Sequence, residues 1–333
     1  MPKNLSIIRK WTPTDLEWDI VWKSCPYATF FHSREWANIW QKYTNGQIIP
    51  KPEGICFSDG LEILLPFCEE KFLHFFSKKT ISSPAGTYGG WISSKSLDQE
   101  HQAVLIKYIF QTHQNLYLRL NPYEKSRISD LGGNVIPDTT STLDLSASFD
   151  QIFHSWSKGH KSAVKKAQQA GVTIDIARSS DDWDSYYSAY LDSINRWGDN
   201  VSSFYKRSLF TILENQSSEN IKLWLANYNG AVVAGALCFY SQDHVVYWHG
   251  AGFSKYFYLR PVNLLLYEAI RNAKDSGYSW FDFNPSGGHI GVSNFKQSFG
   301  TIQKNSDVII TTSKKMYLIK KIAKFSRSLV NTK

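Results

Sequence analysis

Residues 280–300 put one carboxylate, one ammonium and a run of turn formers close together in the chain. Trp280-Phe281-Asp282-Phe283 reads as a short aromatic strand. Asn284-Pro285-Ser286-Gly287-Gly288 then breaks it, because proline cannot donate to a ladder and paired glycines favour a turn. Residues 292–299 read as one or two helical turns carrying Lys296. A strand, a glycine-rich loop and a short helix with one cation can offer backbone N–H groups and a positive charge to an anion. A glycine-rich turn with a solvated lysine fits the same local pattern. Upstream, a strand over 244–251 carries Tyr247, Trp248 and His249, and Arg260-Pro261 opens a long helix. A helix over 160–170, closed by Gly171, follows Lys158 and carries His160, Lys161, Lys165 and Lys166. Lys161 and Lys165 share a face, either a solvated basic face or a phosphate-binding one.

Several elements must hold these groups in place. In the second half, helices are expected over 149–156, 160–170, 181–197, 203–214 and 261–276. Strands are expected over 172–176, 221–227, 231–240, 244–251 and 279–283, with a final strand over 301–310. Asn229-Gly230 is a strong hairpin turn. The first half reads in a similar order. A strand covers 5–9, and a helix runs over 13–22 with Thr12 as cap and Pro13 in its first turn. Ser33 caps a helix carrying Trp36, Ile39, Trp40 and Tyr43, aromatics that suit either a core or a ligand platform. An antiparallel hairpin is expected from 48–57 and 61–69, then a glycine-rich loop over 82–91, a helix over 99–112 and a strand over 116–120. The 82–91 loop is a tight connection or the wall of a ligand cleft. The repeated order suggests an internal duplication of mixed α/β units, each about 150 residues.

The 333-residue chain has 42% hydrophobic and 15% aromatic residues, enough for a packed core. No stretch is long and apolar enough to cross a bilayer, and no secretory leader is read at the amino terminus. Cys25, Cys56, Cys68 and Cys238 have irregular spacing, which argues for reduced thiols, against a metal site, and for a cytoplasmic location. The +8 net charge, from 37 basic against 29 acidic residues, favours an anionic partner: nucleotide, RNA or lipid headgroup. No zinc-protease, P-loop or dinucleotide-binding signature is present, and no hydrolase triad can be argued from residue order.

Five segments in order resemble the FemAB/FemX family and the related GNAT-like acyltransferases. Phe31-His32-Ser33-Arg34-Glu35-Trp36 is similar to the family's amino-terminal segment. Lys158 to Val172 is similar to its basic helix ending in A-x-x-x-G-V. Asn229 to Gly235 matches a G-x-x-V-A-G hairpin. Tyr247-Trp248-His249-Gly250-Ala251 is followed by Pro261 and Leu264-Leu265-Leu266. Gly277 to Gly300 matches G-x-x-x-x-D-F and G-x-x-x-F-K-x-x-F-G.

The resemblance implies an α/β (α+β) fold of two tandem GNAT-like domains, with mixed, mostly antiparallel sheets flanked by helices and a cleft between them. The domains would span 1–147 and 148–312, with a basic tail over 313–333. It implies transfer of an acyl or aminoacyl group to an amine, which needs a positioned amine and a stabilised carbonyl oxygen. Backbone N–H groups of a splayed strand over 247–251 would serve the oxygen. The candidate catalytic residues are His249, Asp282 and Tyr247. His249 or Asp282 would accept the proton; alternatively His249 is a core histidine and Asp282 braces the loop. The candidate donor- or substrate-binding residues are Lys296, Arg260, Lys161, His160, Asn284, Ser286, Gly287 and Trp36. Lys296 resembles the family lysine that meets a phosphate.

Two departures bear on the donor, acyl-CoA (acetyl-CoA) or aminoacyl-tRNA; no metal is implied. Residues 181–214 leave room for ordinary helices only, not the long arm of peptidoglycan-bridge enzymes, which weighs against tRNA. The Q/R-x-x-G-x-G/A pyrophosphate cradle of ordinary acetyltransferases is replaced by Ser254-Lys255-Tyr256-Phe257-Tyr258-Leu259-Arg260-Pro261, without glycine. The expected acceptor is an amine of an amino sugar or of a cell-envelope or polysaccharide precursor. The competing readings are FemX-like aminoacyl-tRNA-dependent peptidoglycan aminoacyl transfer, a non-catalytic GNAT scaffold and an RNA-binding module. The tail over 314–331 reads as a basic amphipathic helix, suited to an anionic membrane surface or to docking on the domain.

Overall fold

The structure is a computed structural model that describes residues 5–72, 77–124, 134–198, 203–216 and 218–313. The basic tail over 314–331 lies outside the described residues. The chain forms two compact units. One comprises Met1–Cys25, Phe31–Asp138 and Ser306–Lys333; the other comprises Pro26–Phe30 and Thr139–Asn305.

The first unit begins with β1 (Ile7–Trp11), α1 (Asp15–Ser24) and α2 (Arg34–Tyr43). The cap of α1 is Thr14, not Thr12, because Glu17 three residues on closes a capping box with it. Ser33 caps α2 as expected, its Oγ accepting from the Trp36 N–H at 3.1 Å. Strands β2 (Ile48–Pro50), β3 (Glu53–Phe57), β4 (Glu62–Leu65), β5 (Cys68–Phe72) and β6 (Ser77–Ile81) come next, then α3 (Gln99–Thr112), β7 (Leu116–Arg119) and β8 (Asn134–Ile136). The single hairpin expected over 48–69 is two nested pairs. Its arms are interrupted at Pro52 and Pro66, so β3 pairs with β4 and β1 while β2 pairs with β5.

The second unit runs β9 (Thr139–Asp144), α4 (Phe149–Ser155), α5 (Lys158–Gln169), β10 (Thr173–Ile176), α6 (Ser180–Trp197) and α7 (Arg207–Glu214). It continues with β11 (Ile221–Tyr228), β12 (Ala231–Tyr240), β13 (His244–Gly252), α8 (Pro261–Asp275), β14 (Trp280–Pro285), α9 (Ile290–Gln297) and β15 (Ile302–Asn305). These strands form one seven-stranded sheet in the order β10-β11-β12-β13-β14-β9-β15. Asn229 and Gly230, with φ of 49° and 76°, make the expected left-handed two-residue turn. Gly277, at φ 86°, ends α8.

The strand expected over 301–310 is two strands. β15 ends at Asn305, and β16 (Val308–Thr311) joins the first unit's sheet between β7 and β8. Ser306 makes the break: it is wholly buried, its N–H donates to the Asp138 carbonyl and its hydroxyl to the Leu120 carbonyl.

On one face of the second sheet, α5 and α8 bury Val164, Ala167, Leu264, Leu265, Leu266 and Ile270 with Phe281 and Phe283. Each such large apolar side chain contributes about 1.5–3 kcal/mol of burial. On the other face α6 lies against β12 and β13. Mixed sheets flanked by helices agree with the expected fold class.

Candidate active site

Strands β13 and β14 run parallel but pair over three residues only, His244–Val246 against Trp280–Asp282. Beyond Val246 the two separate. β13 continues to Gly252 bonded to β12 alone, while β14 keeps to β9. A fork opens, and one edge of β13 from Tyr247 onward has no ladder partner among the described residues.

A bulge shapes that edge. Leu237 faces His249 and the next residue, Cys238, faces Tyr247, so Trp248 is extra. The extra residue turns Trp248 and His249 to the α6 side together. Trp248 meets Phe239 and Tyr205 at ring separations of 5.6 and 5.2 Å. His249 is ringed by Tyr190 at 4.7 Å, Phe210 at 5.7 Å and Tyr186 at 5.8 Å. Tyr247 turns the other way. Its hydroxyl lies over Gly250, where an added Cβ would come within 1.8 Å of it, so only glycine fits.

The aromatic wall removes water from His249, and this desolvation pulls its pKa down to about 4. The imidazole is therefore neutral at physiological pH. Its Nδ1 lies 2.5 Å from the Tyr186 hydroxyl, which also donates to the His249 carbonyl at 3.2 Å. Nε2 makes no hydrogen bond to the described residues. Burial holds the Tyr247 phenol above its usual pKa, so it remains protonated.

The other arm of the fork leads into 284–288. Asp282 is wholly buried, and its Oδ1 accepts from the Thr140 hydroxyl and from the Asn284 N–H, each at 2.6 Å. It thus ties β14 to β9 and braces the loop. Asn284 sits in the left-handed region at φ 62°, and its Oδ1 is buried without a hydrogen-bond partner among the described residues. Gly287 and Gly288 are exposed, with φ of 58° and 80°, and Ser286 closes the turn by accepting from the His289 N–H. Lys296 is 6% exposed, and its ammonium donates to the Asn284 carbonyl at 2.6 Å and the Pro285 carbonyl at 3.1 Å. The lysine that resembled a phosphate ligand is held inside the loop as a clamp on its carbonyls.

The remaining candidates have other surroundings. Arg260 is exposed and caps α8 in the left-handed conformation at φ 60°. His160 packs against Phe299 at 4.4 Å and Phe295 at 5.1 Å, and burial lowers its pKa. Lys161 donates to the His154 carbonyl at 2.9 Å. Trp36 belongs to the first unit's core; it is wholly buried and its indole N–H donates to the Thr87 hydroxyl at 3.2 Å. Sequence reasoning missed Tyr186. The signals for it were Tyr186 and Tyr190 one helical turn apart and Gly235 inside a strand. Among the described residues no histidine, cysteine and carboxylate group could hold a metal ion. None of the described helices is long and apolar enough to cross a membrane.

Residues 155–297 match the acetyltransferase (GNAT) domain family. No curated protein matches the chain. Among solved structures, FemX has 13% identity, TM-score 0.71, and coverage of 94% of this chain and 99% of that one. L-PGS from Bacillus licheniformis has 11% identity, TM-score 0.55 and coverage of 93% and 97%. The C-terminal domain of a putative lysylphosphatidylglycerol synthetase from Agrobacterium fabrum has 10% identity, TM-score 0.54 and coverage of 79% and 85%. The domain match gives the class of residues 155–297, a GNAT-type acyltransferase domain. Within that class the chain has the tandem GNAT-like architecture of the FemAB/FemX-like proteins.

An acyl-CoA donor, which GNAT domains imply, would set its pyrophosphate on free backbone N–H groups between the forked strand and the next helix. Here several of those donors are engaged. The N–H of Phe253 goes to the Val233 carbonyl, that of Ser254 to the Asp192 carboxylate, that of Tyr256 to the Phe253 carbonyl and that of Arg260 to the Phe257 carbonyl. Pro261 has none, and Asn263 bonds back to the Arg260 carbonyl. The 3-10 turn Ser254–Leu259 stands in place of a glycine-rich cradle, so the amides of 253, 254, 256, 260 and 263 are not free for a pyrophosphate.

Proposed function

We propose that the chain transfers an acyl or aminoacyl group from an activated donor to an amine of an amino sugar or of a cell-envelope precursor. The observation that carries this reading is the open fork with a neutral, partly accessible imidazole on its free edge. The amine nitrogen attacks the donor's carbonyl carbon and a C–N bond forms. Backbone N–H groups on the free edge of 247–251 stabilise the developing oxyanion. Once bonded to carbon, the nitrogen is strongly acidic, so even a weak base serves. His249 Nε2 takes its proton and passes it to the carrier heteroatom as the carbon–heteroatom bond breaks. Asp282 and Lys296 hold the loop at 284–288 in shape, and Tyr247 covers Gly250. The four cysteines are unpaired and buried, which supports a reducing, cytoplasmic setting.

A second reading, aminoacyl-tRNA as donor, is favoured by the occupied amides of 253, 254, 256, 260 and 263. It is also favoured by α5, whose sequence holds Lys158, Lys161, Lys165 and Lys166 and no acidic residue. The test is to incubate the protein with acetyl-CoA, longer acyl-CoAs or mixed charged tRNA, each with amino-sugar nucleotides or peptidoglycan precursors. Mass spectrometry of the acceptor is expected to find one new amide. No product from any donor–acceptor pair overturns the proposal.

A further inference from the structure

The imidazole of His249 is useful at the fork only if Nε2, not Nδ1, carries the lone pair. We infer that Tyr186 is the positioning residue that selects this tautomer, and that Gly235 is glycine to admit it; the inference rests on the reading of the fork as the site of transfer. A phenol has one proton and touches His249 twice, at Nδ1 (2.5 Å) and at the carbonyl oxygen (3.2 Å). The carbonyl can only accept, so the hydroxyl proton goes there. The oxygen then accepts Nδ1–H, and both contacts are hydrogen bonds. Donation to Nδ1 instead would leave two oxygen lone pairs facing each other and put the imidazole proton on Nε2, where it could not take another. Tyr186 is wholly buried, and burial keeps its hydroxyl protonated.

Room for the phenol comes from β12. A Cβ on Gly235 would lie 2.4 Å from Tyr186 Cδ2 and 3.1 Å from the Trp224 carbonyl oxygen. Glycine inside a strand weakens it, and close approach of another group is a common physical reason for keeping one there. The bulge at Trp248 completes the arrangement by turning His249 toward α6. Tyr190 and Phe210 close the sides of the ring, so a rotation away from Tyr186 meets packed aromatics.

Tyr186→Phe removes only the oxygen and keeps the ring. In the full chain at neutral pH, imidazole 15N NMR is expected to show a protonated Nδ1 and an unprotonated Nε2 at His249. In Tyr186→Phe the two tautomers mix, kcat falls by ~10- to 100-fold with KM within about twofold, and the acidic limb of the pH–kcat profile moves. Gly235→Ala is expected to act in the same direction by displacing the phenol. A wild-type spectrum with the proton on Nε2 overturns the inference. So does a Tyr186→Phe protein whose tautomer and pH profile match wild type. If no donor supports transfer, the proposed function fails on its own, while the spectrum still decides the role of Tyr186.

Discussion

Each unit contains a parallel strand pair joined through a helix: β6–α3–β7 in the first and β13–α8–β14 in the second. In both, the pairing is short: Thr80 and Ile81 with Leu116 and Tyr117, and His244–Val246 with Trp280–Asp282. Past the paired residues the two units diverge. In the first unit the chain folds back into the gap. The Ser82 N–H bonds the Tyr117 carbonyl, the Gly89 N–H bonds the Arg119 carbonyl, and the Arg119 N–H bonds the Ser82 hydroxyl. Ser83, Thr87 and Tyr88 are buried there, and Trp36 reaches Thr87. In the second unit the chain runs straight on as the bulged end of β13, and the loop from β14 turns outward with Gly287 and Gly288 exposed. One topology therefore serves as packed structure in one unit and as an open notch in the other. Two loops of similar glycine-rich composition are separated by whether neighbouring strands consume their polar groups.

Substitutions at matching places should break or sharpen this contrast. The largest effect is expected at the open fork. His249→Gln should lower transfer by about 10²- to 10⁴-fold, assayed by product formation, with the urea midpoint close to wild type. At the filled fork Trp36→Ala should cost about 3–5 kcal/mol in urea unfolding and affect transfer only through stability. Next comes Gly89→Ala, whose Cβ would lie 2.4 Å from Ser82 and 2.6 Å from its backbone carbon; about 1–3 kcal/mol is expected. Gly287→Ala has open space, the nearest atom being 3.7 Å away, but a φ of 58°; about 1 kcal/mol is expected.

The pH dependence separates the units further. The His249 pKa is depressed from 6.5 to about 4 by burial in the fold. Between these values the unfolded chain binds a proton that the folded one refuses, so stability falls as pH drops from 6.5 toward 4. Below about 4 both forms are protonated and this contribution stops changing. Chemical denaturation across that window should show a shallower slope for His249→Gln than for wild type.

The second unit was the more legible in the sequence. Its elements are long and its punctuation is local: Asn229-Gly230 makes the turn, Pro261 and Gly277 bracket α8, and the serine before α4 caps it. The first unit was harder because its short strands choose partners far along the chain. Pro52 and Pro66 mark the interruptions, but not which strand pairs with which. The division of 301–310 into β15 and β16 is likewise set by partners, Thr139–Asp144 and Leu116–Arg119.

At the candidate site, residue types were readable and geometry was not. Tyr247 and His249 stand on β13, and Asp282 and Asn284 on β14. The bulge at Trp248, the contact between Tyr186 and His249 and the inward turn of Lys296 depend on cross-strand register and on packing between elements. No local pattern encodes those. Trp36 and His160 carried plausible ligand chemistry, and no local pattern told that both pack among aromatic rings.

Hydrogen exchange, with and without the donor that supports transfer, addresses the two forks in one experiment. Donor is expected to slow exchange at 246–252 and 282–288 of the second unit. Residues 82–90 and 116–120 of the first unit should already exchange slowly and should not change. Donor-dependent protection at 82–90 and 116–120, with none at 246–252, would contradict an open transfer site in the second unit and a filled fork in the first.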